Sequence, residues 1–119
     1  MKKTIIIYQY AERIKSELII ASGLLAKLDT LAWEERKGAE AMMAAYFEAL
    51  LGEIRIARAG EGKESVQFQK AEEKITEAAA KLMVSDMPGI NRCIAEALSA
   101  VTTVCQRAME ELQNKDLSK

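Results

Sequence analysis

Set on helical wheels of about 100° per residue, three glutamates of this 119-residue chain fall inside arcs that are otherwise apolar. Glu17 lies between Ala21 and Leu24, Glu53 beside Leu50, Ile54 and Ala57, and Glu72 near Phe68 and Ala79. A carboxylate drawn out of water needs a cation, a metal or a proton to balance it. Paired carboxylates can hold Mg²⁺ or Mn²⁺, or share a proton for acid–base work. Counting outward from the joint at Gly60 and Gly62 puts Glu53 and Glu72 at one height on neighbouring antiparallel helices, where they can face each other. Tyr8, Tyr10 and Thr102 fall near the same level, and Glu17 can support the cluster. A plainer account competes. A glutamate on the edge of a wide apolar stripe commonly reaches out to solvent, and Arg13, one turn before Glu17, is a ready partner for it.

Other chemistries lack their residues. The chain has no His, which removes the Glu-x-x-His ligands of di-iron bundles and the usual ligands of zinc and haem. All-α nucleotide pyrophosphatases carry carboxylates three apart on helices, whereas Glu61 and Glu64, at that spacing, fall at the glycine joint. The run Gly60-Glu61-Gly62-Lys63-Glu64-Ser65 is no phosphate loop, since Ala57 stands where the first Gly belongs and Glu64 splits Lys from Ser. Pro88-Gly89-Ile90-Asn91-Arg92 puts free backbone N–H groups and a basic side chain at a helix start, an arrangement suited to an anion. Asp86 as helix cap accounts for the same residues and fills that place with a carboxylate. Cys93 and Cys105 lie on one helix about 18 Å apart, too far for a disulfide. They read as free thiols, consistent with a cytoplasmic protein. Without His, activating either as a nucleophile would need a neighbouring Lys or Arg. Cys105 sits among Val101 and Met109 as core, and Cys93 on the edge of the same arc.

These side chains ride on helices. One Pro, six Gly and few aromatics stand against abundant Ala, Leu, Ile, Glu and Lys. The first helix carries Ile7, Ala11, Ile14, Leu18, Ala21, Leu25 and Leu28 at alternating steps of four and three. The segment from Thr4 to Tyr10 is β-branched enough for an extended arm, but Ile7 and Ala11 keep the stripe in register and favour helix. A second stripe runs through Ala39, Met43, Tyr46, Leu50, Ile54 and Ala57, with Asp29-Thr30 as its cap and Gly60 past its end. Ser65 caps a third helix bearing Phe68, Ala71, Ile75, Ala78 and Leu82. The fourth follows Pro88 with Ile90, Ile94, Ala97, Val101, Val104, Ala108 and Leu112. The fold expected is all-α, an antiparallel up-and-down four-helix bundle with helices over 5–28, 31–59, 65–84 and 88–113, in a single domain frayed at 1–4 and 114–119.

Composition narrows the partners. Seventeen basic and eighteen acidic residues nearly cancel, so no field draws in nucleic acid or an anionic membrane. Charges recur too often for a span of about 20 apolar residues. Lys2 and Lys3 before an apolar run could open a signal peptide, but Glu12 and Arg13 interrupt it, and the segment reads as uncleaved. The apolar faces are wider than one core requires. Ile5, Tyr8 and Ile19 lie off the first stripe, and Met42, Ala45, Ala49 and Ile56 off the second. Such width calls for a partner: a second copy, joined as a homodimer through the first two helices, or another helical protein. The function expected is that of a non-enzymatic interaction or assembly protein. The alternative is a metal-dependent enzyme or small-molecule binder using Glu53 and Glu72 with Mg²⁺ or Mn²⁺.

Overall fold

A computed structural model describes the backbone of residues 2–60 and 62–117 and side chains as far as Asn114. It holds four helices, α1 (Lys2–Leu28), α2 (Trp33–Ala59), α3 (Ser65–Leu82) and α4 (Met87–Leu117). Each packs on its neighbours in the order α1, α2, α3, α4 and back to α1, which closes an antiparallel four-helix bundle. Thr4–Tyr10 is helical, and the outer helices reach further than the sequence implied, α1 beginning at Lys2 and α4 running to Leu117. Met1, Glu61, Ser118 and Lys119, which include parts of the expected frayed ends and of the joint, lie outside the described residues.

The core is a set of heptad layers. Ala11, Ile14, Leu18, Ala21 and Leu25 of α1 are fully buried in one core with Phe47, Leu50 and Ile54 of α2, Ala71, Ile75 and Ala78 of α3 and Ile90, Ala97, Val101 and Val104 of α4. The alternation of Ala with Ile, Leu and Phe lets neighbouring layers interdigitate at close to crystalline density.

α2 departs from the expected stripe. Phe47 and Leu51 are buried, while Tyr46, Ala39 and Ala57 are only partly covered. Burying the large Phe47 ring turns the helix so that Tyr46 faces the α1–α2 seam instead of the core centre. That seam is the most loosely packed of the four. α2 also contains Gly38 and Gly52 in its interior, each destabilising the helix by about 0.5–1 kcal/mol relative to Ala. A Cβ added at either would meet nothing within 4 Å, so the bundle itself has no steric need for them.

Two expected caps are not made. Thr30 Oγ1 donates to the Lys27 carbonyl at 2.6 Å and closes α1, while the residue before α2 is Ala32, without a side-chain cap. Ser65 is the first residue of α3, not its cap. The α3–α4 turn does have its cap: the Gly89 N–H donates to Asp86 Oδ1 at 3.1 Å, after Ser85 turns the chain at φ 56°.

Candidate functional site

The α1–α2 seam holds a compact charged cluster at mid-height. Arg13 donates to Glu53 Oε1 at 2.6 Å, and its Nε lies 3.6 Å from Glu17 Oε1. The Tyr46 hydroxyl donates to the Glu17 backbone carbonyl at 2.9 Å and pins the two helices together. One guanidinium thus serves two carboxylates, and the second oxygen of Glu53, which Arg13 does not reach, is buried. Burial first, then the hydrogen bond and charge of Glu53, raise the Glu17 carboxyl to about 7, against the opposing pull of Arg13. The same burial, with both carboxylates nearby, pushes the Tyr46 phenol up. The chemistry this arrangement supports is retention of one proton between two acids near neutrality.

Glu53 and Glu72, which their common height allowed to face each other, are engaged separately. Glu53 points to α1, whereas Glu72 is gripped from α2 by Arg55 at 2.8 Å and Arg58 at 2.9 Å. Arginines at 55 and 58, one and four residues from the Ile54 core position, supply this grip; the wheel alone could not weigh them against a metal. The supporting polar residues also disperse. Tyr10 lines a groove at the start of α1, Tyr8 lies beside Glu12 on the side of α1 facing Cys105, and Thr102 is half-buried on α4, which does not border the seam. Among the described residues no three candidate ligands cluster as a metal site would require.

The thiols are both free and buried. Cys93 Sγ donates to Glu77 Oε2 at 3.2 Å. Burial, with this carboxylate adding to it, pushes Cys93 up to about 11, and burial likewise pushes Cys105 up to about 11. Both therefore stay protonated at neutral pH and are poor nucleophiles. At the start of α4 the Asp86 carboxylate occupies the place an anion would take.

Above and below the Arg13 cluster the seam opens into two apolar grooves. One of about 380 Å³ is lined by Ile6, Ile7, Tyr10, Ile56 and Phe68, with Lys2 and Lys3 at its edge. The other, of about 290 Å³, is lined by Leu24, Leu28, Leu31, Met42, Met43 and Tyr46. Beside them Ile6, Ile20, Leu24, Met42 and Ile56 stand exposed. Of the off-stripe residues singled out in the sequence, Met42, Ala45, Ala49 and Ile56 share the outer side of α2. Tyr8 and Ile19, with Lys15 between them at helical spacing, lie on the α4 side of α1 instead, and Ile5 precedes Tyr8 by one turn. Ile6, Ile20 and Leu24, beside α2, were missed. Their signal was present, since they repeat the seam-facing angle of Glu17 on the wheel.

A comparison of the chain with protein-family models, with curated proteins and with solved structures finds no match.

Proposed function

We propose that this protein is a non-enzymatic helical-bundle assembly protein that associates with a second copy of itself through the outer side of α1 and α2. The observation that carries this reading is the row of large apolar side chains left in solvent there, with Ile20, Leu24, Met42 and Ile56 all 43% exposed or more. Isolated apolar residues on a surface need no explanation, but large ones gathered in and beside two apolar grooves, one on either side of the Arg13 cluster, are the pattern of an interface. No helix among the described residues is long and apolar enough to cross a membrane. Free, buried thiols are compatible with work in the reducing cytoplasm.

Sedimentation equilibrium on the purified chain tests the reading. The expected result is a concentration-dependent dimer that Ile20→Glu and Met42→Glu shift to monomer while leaving the helical circular dichroism unchanged. A strict monomer from micromolar to near-millimolar concentration sinks it.

A further inference from the structure

The solvent side of α2 carries a second heptad seam that the bundle does not use. Gly38, Met42, Ala45, Ala49, Gly52 and Ile56 follow one another at alternating steps of four and three, and every one of them is exposed. This is the spacing by which one helix packs along another. Its sizes are ordered: two large residues, Met42 at 76% exposure and Ile56 at 59%, and two glycines with open space above them. The glycines are otherwise unexplained, because they weaken the helix and relieve no contact inside the bundle.

Resting on the assembly reading above, we infer that two copies of this protein pair through α2 in antiparallel fashion about a two-fold axis, each large residue seated over a glycine of the other copy. Turned end over end, the seam fits itself. The partner's Ile56 falls opposite Gly38, its Gly52 opposite Met42, and its Ala49 opposite Ala45. Every large side chain then meets a position without one, which is how facing layers fill space without voids. The small residues between them let the helix axes approach to about 8 Å, the near end of the usual range. A foreign helix would need only one half of each fit on α2; here α2 holds both halves, and self-complementarity is the mark of an isologous two-fold contact. Antiparallel packing also sets the two helix dipoles in opposition.

The test uses substitutions that should improve the monomer. Gly38→Leu and Gly52→Leu raise helix propensity at exposed sites with room for a side chain, so the isolated bundle is expected to melt higher. Each nevertheless fills a recess twice over in the dimer, and dissociation is expected to rise by about 30-fold or more. Met42→Gly combined with Gly52→Met exchanges knob and recess and is expected to restore pairing. Oxidising a mixture of Ala45→Cys and Ala49→Cys chains is expected to give a heterodimeric disulfide in preference to either homodimer. A wild-type dimer that Gly38→Leu and Gly52→Leu leave intact, or that yields no 45–49 crosslink, overturns this register while the assembly reading stands. A wild type that stays monomeric overturns both.

Discussion

Arg13 and Glu53 meet across the α1–α2 seam at 2.6 Å, and the same guanidinium lies 3.6 Å from Glu17. Two acids leaning on one base make stability depend on pH in an unusual direction. Glu17 titrates near its ordinary value of 4.5 when unfolded and at about 7 when folded. Between those values the folded chain keeps a proton that the unfolded chain has released, so stability falls as pH rises through this window and levels off above it. Denaturant melts between about pH 5 and pH 8 should show this decline in the wild type. Glu17→Gln, which is uncharged throughout, should flatten it and exceed the wild type in stability at the alkaline end. A Gln variant with an unchanged slope would place the proton elsewhere.

The turn into α4 depends on an equally close fit. A Cβ on Gly89 would fall onto the Asp86 carboxylate and within 2.8 Å of Lys81 Cδ, so the cap and a side chain at 89 exclude each other. Asp86→Ala should cost about 0.5–2 kcal/mol, the usual worth of an N-cap. In the Gly89→Ala background the cap is already displaced, and adding Asp86→Ala should cost little more. Urea melts of the four chains in a double-mutant cycle measure this coupling. Additive effects would mean that the carboxylate caps the helix despite the added methyl.

The bundle was legible because its signal is periodic. The stripe from Ala11 to Leu25 repeats every three and four residues, and each of those positions is buried. What the periodicity could not show was how α2 is turned. Tyr46 and Phe47 are adjacent and both aromatic, so either could face inward; the structure buries Phe47 and gives Tyr46 a hydroxyl partner in the Glu17 carbonyl. That choice opened the seam and separated Glu53 from Glu72. The burial of the three glutamates could be suspected from the wheel. Their partners could not, because an Arg side chain reaches as far as a full helical turn and its direction is decided by tertiary packing. Caps failed for a related reason. Asp29 and Thr30 have the right chemistry for an N-cap, but Thr30 lies close enough to Lys27 to finish the preceding helix instead.

Thiol chemistry provides a check on the core. Cys93 and Cys105 are buried, and both thiols are pushed up to about 11. A disulfide reagent such as dithionitrobenzoate should therefore label neither in the native protein at neutral pH, and both at once after unfolding in guanidinium. Because the two thiols share α4, they should become reactive together through global opening. Rapid native labelling of Cys93 alone would show that its bond to Glu77, at 3.2 Å, opens without the rest of the bundle.

Gly23 separates intrinsic helix stability from assembly. Like Gly38 and Gly52 it lies inside a long helix with nothing within 4 Å of an added Cβ, but it belongs to α1 and not to the outer seam of α2. Gly23→Ala should stabilise the fold by up to about 1 kcal/mol through helix propensity and a less flexible unfolded chain. For a domain of this size that corresponds to a rise in melting temperature of about 4 °C. The dimer dissociation constant, measured by sedimentation on the same preparation, should move less than it does for Gly52→Ala, because Gly23 lies beside Ile20 on α1 and flanks the α2 seam instead of forming it. Gly52→Ala adds only a methyl to the seam, so it should stabilise the isolated bundle by a similar amount while weakening pairing. If both alanines shift assembly equally, the glycines of α2 serve no purpose that the glycine of α1 does not.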